Sequence, residues 1–185
     1  MTQKNPSGES FLNPEQLLRH TNIMLGSKVA DLGCGGGYFV MQAARMVGDH
    51  GQVYGVDVLK TALSSLLSKA RIFGLTNIQS VWSNAEVYGG AKRIKDGSLD
   101  LVLLVQILFQ SQKHHEIFRE AGRMLKRKGQ LLVVDWKKSG LHLTPHQLNY
   151  LEPEEVKQMA AASGLILTKQ VDAGPYHFGL IFEKR

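Results

Sequence analysis

One stretch of the chain sets two acids around a run of glycines: Asp31-Leu-Gly33-Cys-Gly35-Gly-Gly37, with Asp57 further on. Glycines let the backbone turn sharply and let a ligand approach with no Cβ in the way. Three kinds of ligand use such loops. A phosphate-binding P-loop needs Lys-Ser or Lys-Thr after its glycines, and here Tyr38 and Phe39 follow. A dinucleotide fingerprint needs a third glycine three residues after the second. Counted from Gly33 and Gly35, that place is Tyr38. The third ligand is a cationic nucleoside without phosphate, and the acids favour it. A carboxylate at Asp31, at the carboxyl end of a strand, repels a pyrophosphate but suits an ammonium or sulfonium. Asp57, at the next strand end, can accept both hydroxyls of a ribose. S-adenosylmethionine carries an ammonium, a sulfonium and a ribose, and no phosphate.

Those residues need a strand, a tight loop and a helix in that order, and the apolar pattern supplies them. Residues 28–32 read as a strand, 38–47 as a helix and 53–57 as a second strand. Residues 61–73 form a helix with Ala62, Leu66, Leu67 and Ala70 at helical spacing. Strands are expected at 78–82 and 99–105, the latter near-continuously apolar, as a buried parallel strand should be. A helix over 113–125, closed by Lys126-Arg-Lys-Gly129, leads to a fifth strand at 130–135. Upstream, Asn13 opens a helix with Pro14 in its first turn and Gln16 completing a capping box. Leu17, Thr21 and Met24 share its apolar face and Gly26 ends it. After a long loop at 136–151 come a helix at 153–163 and strands at 165–171 and 176–183. The alternation predicts an α/β fold: a doubly wound, mostly parallel seven-stranded sheet with helices on both faces. The four-residue link Asp172-Ala-Gly-Pro175 is too short for a crossover, so the last strand is antiparallel. Residues 1–12 read as a flexible tail and 13–185 as a single domain.

With these elements the chain resembles the class I S-adenosylmethionine-dependent methyltransferases from about Asn13 to Lys184. Asp31, Gly33, Gly35 and Gly37 match that family's Asp-x-Gly-x-Gly-x-Gly loop, and Asp57 matches the acid ending its second strand. Asn84-Ala85-Glu86 stands where the family often has Asp-Ala-Glu, keeping an oxygen acceptor without the charge. Asp100 to Gln106 resembles its fourth strand, and Leu125-Lys-Arg-Lys-Gly129 its Leu-Lys-Pro-Gly-Gly turn without the proline. The resemblance implies S-adenosylmethionine as cofactor. It implies that Gly33, Cys34 and Gly35 line the methionine and ribose, and that Asp57 holds the ribose hydroxyls. Val58 would lie against adenine, Asn84 and Ala85 would address its edge, and the Gln106 backbone would meet the methionine end. On that reading Asp57→Ala weakens cofactor binding with little loss of stability.

Acceptor residues follow from topology, because ligands bind at the carboxyl ends of parallel strands. Gln106, Phe109, Trp136, Lys137 and Lys138 follow the fourth and fifth strands on that edge. The hairpin between the sixth and seventh strands reaches the same edge, placing Asp172, Tyr176 and His177 near the transferred methyl. His177 is the candidate general base, chosen for position and titration range.

Other features read more plainly. Cys34 is a small residue in a tight turn, Lys126-Arg-Lys128 cations at a helix C-terminus, and Lys92-Arg93-x-Lys95 a solvated face. His114-His115 reads as surface and Trp82 as core. His142 and His146 have an i, i+4 spacing, but Pro145 between them removes the helix a ligand pair would need, so no metal is expected. The 185 residues, 43% hydrophobic and 21% charged, suit one globular domain. A single cysteine excludes an intrachain disulfide and a multi-cysteine metal site. No apolar run reaches the roughly 18 residues of a membrane span, and the polar N-terminus lacks a signal-peptide core. A cytoplasmic protein is expected. A net charge of +6 permits an acidic partner without demanding one.

The expected function is in-line methyl transfer to a small-molecule acceptor, in which the protein mainly aligns reactants and excludes water. Two readings stand beside it: an RNA or protein methyltransferase, and a non-catalytic adenosylmethionine-binding module. A nicotinamide oxidoreductase is more distant. Enzymes that methylate base amino groups carry Asn/Asp-Pro-Pro-aromatic after the fourth strand, where this chain reads Val105-Gln-Ile-Leu-Phe109. The oligomeric state is not legible.

Overall fold

In the computed structural model, seven strands align in one sheet of order β3-β2-β1-β4-β5-β7-β6; residues 12–138 and 150–185 are described. The strands are β1 (Lys28–Leu32), β2 (Gln52–Asp57), β3 (Ile78–Trp82), β4 (Leu99–Val105), β5 (Leu125–Trp136), β6 (Leu165–Asp172) and β7 (His177–Lys184). The helices are α1 (Pro14–Leu18), α2 (Tyr38–Val47), α3 (Lys60–Ile72), α4 (His114–Met124) and α5 (Pro153–Ala162), with a short 3₁₀ helix at Leu108–Gln110. Strands β1 to β5 are parallel, and β7 runs antiparallel between β5 and β6. The expected doubly wound sheet with an antiparallel last strand is what forms.

Alternation along each buried strand feeds two cores. Leu101 and Leu103 of β4 pack with α2 and α3 side chains such as Val40, Ala44 and Leu66. Val102 and Leu104 pack on the other face with Ile117, Phe118 and Ala121 of α4 and Val156 of α5. Side chains a residue apart on a strand point to opposite faces, so an apolar run covers both. The apolar run of β4 therefore requires helices on both sides.

The structure departs from expectation in three places. α1 stops at Leu18 and does not run to Gly26. The Thr21 hydroxyl and amide both donate to the Leu18 carbonyl (2.7 and 3.0 Å), closing the turn, and Met24 is 67% exposed. α4 ends at Met124, and the basic run 126–128 belongs to β5 and not to a helix terminus. Its register against β4 slips between Leu99 and Leu101, Lys128 takes φ +63°, and Lys126 pairs with Asp100. Trp82 is 64% exposed because β3 is an edge strand; its Nε1–H donates to the Val58 carbonyl (2.9 Å) and Lys60 Nζ lies 4.1 Å over its ring. Residues 1–11, and the pair His142 and His146 with Pro145, lie outside the described residues. No helix among the described residues is long and apolar enough to cross a membrane.

A buried ion pair fixes the link between β3 and β4. Glu120 accepts the amide protons of Gly89 (2.7 Å) and Ala91 (3.3 Å) and pairs with Arg123 (2.7 Å), which also donates to the Ile94 carbonyl (3.0 Å). Burial pushes the Glu120 carboxyl up, but its hydrogen bonds from Arg123, Gly89 and Ala91 outweigh that and hold it below the ordinary range. A depressed acid stabilises the fold above its unfolded pKa, and that stability is lost as the pH falls through its folded one. Removing one member of a buried pair strands the other, so Glu120→Ala should lose about 3–5 kcal/mol of unfolding free energy at neutral pH. Asp96→Ala, at the exposed end of the same cluster, should lose about 1 kcal/mol or less. Urea unfolding of the two variants checks the difference.

Candidate active site

The carboxyl ends of β1, β2, β4 and β5 open onto a cleft in two halves. The first, about 310 Å³, is lined by Asp31, Cys34, Tyr38, Phe39, Phe109 and Trp136, with Leu12 at its rim. The second, about 350 Å³, is lined by Asp57, Val58, Leu59, Asn84, Ala85 and Glu86. Gly33, Gly35, Gln106 and Gln110 line both halves and form their junction.

The glycine loop is hung from the second strand. Gly33 and Cys34 both donate their N–H to the Val56 carbonyl (2.8 and 3.0 Å). Gly33 has φ +77°, and a Cβ there would stand 2.6 Å from Ile107 Cδ1. Gly35 has φ +50°, and a Cβ there would project into open space. The first glycine is demanded by packing and the second leaves the cleft floor bare. Gly37 caps α2.

Asp57 does more than the sequence indicated. Its Oδ2 accepts from the Gly35 N–H and its Oδ1 from the Leu59 N–H, both at 2.8 Å. The carboxylate therefore holds the loops after β1 and β2 together. Each oxygen keeps a second lone pair that can face a ligand. Replacing Asp57 removes both bonds and so costs stability, which revises the expectation of an intact fold.

Asp31 is the opposite case. It is 3% exposed, and its Oδ1 has no hydrogen-bond partner. Burial, and then the nearby Asp57, push its carboxyl up to about 7. An unpartnered buried acceptor at a cleft is a site for a cation. Cys34 is buried, and burial, Asp31 and Asp57 all raise its thiol, so it is an inert packing group.

In the second half, Val58 is half-exposed at the cleft wall and Ala85 is buried. Asn84 Oδ1 accepts the Glu86 N–H (2.8 Å), so its oxygen serves its own turn. Glu86 went unassigned in the sequence although it stands beside Asn84-Ala85. Its Oε1 accepts from the Ser111 hydroxyl (2.7 Å), and it offers the one carboxylate near that end of the cleft besides Asp57 among the described lining residues. Gln110, also unforeseen, donates from Nε2 to the Gln106 carbonyl (2.8 Å); its i+4 spacing from Gln106 was the available signal. Leu12, at the end of the expected tail, is buried, and its carbonyl accepts from the Tyr38 hydroxyl (3.0 Å).

In the first half, Phe109 meets Trp136 edge to face with ring centroids 6.5 Å apart, and both line the cleft. Asp135 positions them: its Oδ2 accepts the Leu108 N–H (2.9 Å) at the start of the 3₁₀ helix and its Oδ1 the Trp136 N–H (2.8 Å). Burial, opposed by those amides, raises Asp135 to about 6. Lys137 is exposed, with Nζ on the Gly174 carbonyl (3.1 Å), and its N–H donates to the Tyr176 carbonyl (2.8 Å). Lys137, Tyr176 and His177 reach the correct sheet edge but are not among the residues lining the cleft. His177 is 1% exposed.

A family profile described as "Methyltransferase domain" matches residues 24–173. Among curated proteins, the chain is 29% identical over 122 residues to the aklanonic acid methyltransferase DauC of Streptomyces sp. (strain C5), covering 63% of this chain and 56% of that protein. It is 26% identical over 121 residues to the demethylmenaquinone methyltransferase of Geobacillus kaustophilus, covering 65% and 50%. The chain thus spans about half the length of these relatives. Among solved structures, a SAM-dependent methyltransferase from Aquifex aeolicus superposes with TM-score 0.86 over 97% of this chain and 94% of that one, at 24% identity. The chain belongs to the class I S-adenosylmethionine-dependent methyltransferases, whose cofactor is S-adenosylmethionine.

The site's residues suit that cofactor: an unpartnered buried carboxylate for its cationic end, a bare glycine floor, and lone pairs on Asp57. Gly35→Ala should hold the fold within about 1–2 kcal/mol, the strain of a left-handed alanine. It should also weaken S-adenosylhomocysteine binding by about tenfold or more, as its Cβ enters the cleft. Asp57→Ala should lose both affinity and about 1.5–3 kcal/mol of stability. Titration calorimetry and thermal unfolding of the same samples separate the two patterns.

Proposed function

We propose that this protein transfers a methyl group from S-adenosylmethionine to a small-molecule acceptor held against Phe109 and Trp136. The observation that carries the reading is the form of the cleft. Beyond the glycine junction it is walled by aromatic and aliphatic side chains, as small-ligand pockets are. The basic run 126–128 stands at the far edge of the sheet, where Lys126 pairs with Asp100 at the start of β4. A nucleic-acid chain tracked there would not reach the cleft. The curated relatives carry small molecules in their names, aklanonic acid and demethylmenaquinone, which supports the same acceptor class. One domain from residue 13 onward and a cytoplasmic setting accompany this reading.

When bound, the cofactor supplies a methyl group on a sulfonium leaving group. Asp31 holds the cationic end, Asp57 the ribose hydroxyls, and Gly33 and Gly35 let the ligand lie against the backbone. Val58, Ala85 and Glu86 frame the adenine, with Asn84 shaping the turn beneath it. Phe109 and Trp136 exclude water and align the acceptor, which is the main contribution such a reaction needs. His177, the expected general base, is not among the described residues that line the cleft.

The test is methyl transfer from labelled S-adenosylmethionine to panels of phenolic, quinol, β-dicarbonyl and carboxylate compounds and to total RNA. Transfer to a small molecule bears out the proposal. RNA methylation, with RNA binding that survives moderate salt and is lost on replacing Lys137 and Lys138, overturns it. A second expectation comes from Asp31. A cation favours the ionised carboxylate, so binding of S-adenosylhomocysteine should strengthen as the pH rises through about 7. Between pH 6 and pH 8 the gain should be about tenfold, with proton release on binding below pH 7. Calorimetry in buffers of different ionisation enthalpy reads both, and Asp31→Asn should abolish the pH dependence. Because the folded pKa of Asp31 lies above the unfolded one, the fold loses stability as the pH rises from about 4 to about 7.

A further inference from the structure

We propose that His177 is a positioning residue that clamps the cofactor side of the cleft to its acceptor side, through one hydrogen bond to Gln106 and one stack on Trp136. The inference rests on the reading of the cleft given above.

Gln106 has φ +52°; with Lys128 it is one of two non-glycine residues of positive φ among the described residues. It directly follows β4, at the junction of the two halves of the cleft. A side chain persists in that conformation only where its surroundings over-determine it. Here the Gln106 N–H donates to the Val134 carbonyl (2.8 Å), its carbonyl accepts from Gln110 Nε2 (2.8 Å), and its Nε2 lies 2.8 Å from His177 Nε2. The backbone bonds fix the position of the turn, and the third bond ties the side chain to β7.

His177 faces two ways. It pairs with Trp136 across the β5–β7 ladder, and its ring lies 4.1 Å from the indole at 40°. Trp136 in turn meets Phe109. Burial, and then the charge of Lys137, push the imidazole down to about 4, so the ring is neutral near pH 7 and its Nε2 lone pair accepts from the Gln106 amide. Nδ1 is buried without a partner, so the Gln106 bond is the ring's one hydrogen bond. A general base needs a free nitrogen at the reacting atoms. Here the bonded nitrogen is engaged and the ring is not part of the cleft lining. What the ring does touch is one residue from each wall.

The test uses a Trp82→Phe background, which leaves Trp136 as the only tryptophan. S-adenosylhomocysteine affinity by calorimetry reads the cofactor side, and Trp136 emission reads the acceptor side. His177→Phe keeps a stacking ring and removes the acceptor. It should leave the emission unchanged and weaken binding about three- to tenfold, the weight of one neutral hydrogen bond. His177→Gln places an amide near the former Nε2 and removes the ring. It should restore binding to within about twofold of the parent and shift the emission to the red. In a Gln106→Gly background the left-handed turn needs no clamp, so His177→Phe should have no further effect on binding, a non-additivity that a packing role would not give. Should His177→Phe fail to fold, Gln106→Leu removes the same bond from the other side and should show the same loss. Normal binding by the variant that folds, equal losses with and without Gln106→Gly, or no recovery in His177→Gln each overturn the clamp. A parent protein that does not bind S-adenosylhomocysteine overturns the methyltransferase reading, and the clamp with it.

Discussion

The Asp57 carboxylate joins two loops that would otherwise be independent. One oxygen holds the Gly35 N–H after β1 and the other the Leu59 N–H after β2. Both amides are thereby satisfied at an edge where the sheet no longer supplies partners. Gly35 at the cleft floor and Leu59 at the start of α3 are tied together by that one group. Its charge also acts on Asp31, which burial has already made costly to ionise. The site therefore has two unlike acids: Asp57, each of whose oxygens accepts one backbone amide, and Asp31, left with an unpartnered oxygen beside the cleft.

The aromatic end of the cleft depends on a different constraint, the insertion of β7 between β5 and β6. Because β7 is antiparallel to β5, its first residue lies beside the last residue of β5, and His177 meets Trp136. A parallel strand in that place would carry its first residue to the other end of the sheet. Asp135 adds the second contact by capping the 3₁₀ helix that carries Phe109. The aromatic wall is thus built from the ends of β5 and β7 and from the segment after β4. It rests on the regular sheet and not on long loops, which keeps a site of this kind precise.

The boundaries of α2, β3 and β4 and the succession of seven strands along the chain could be read directly, because apolar periodicity and glycine punctuation are local properties of the chain. The glycine loop, Asp31, Asp57 and Val58 could be placed at one cleft because every parallel strand delivers its carboxyl end to the same edge. The end of α1 was not legible: Thr21 fits a helical face, and it ends the helix only through its bonds to Leu18. Nor was the exposure of Trp82, since an aromatic residue ending a strand is core in the middle of a sheet and surface at its rim.

Sequence determined the chemistry on offer: which acids, which glycines, which aromatic groups, and the sheet that gathers them. Tertiary structure decided how each is used. It turned Asp57 into a loop tie, left Asp31 without a partner, gave the Asn84 oxygen to its own turn, and brought Glu86 and Gln110 to the cleft. It also put His177 beneath the wall and not at the cleft. These outcomes depend on distances between segments far apart in the chain, and on which groups lose their water on folding. Neither is encoded in the spacing of residues along a strand or helix.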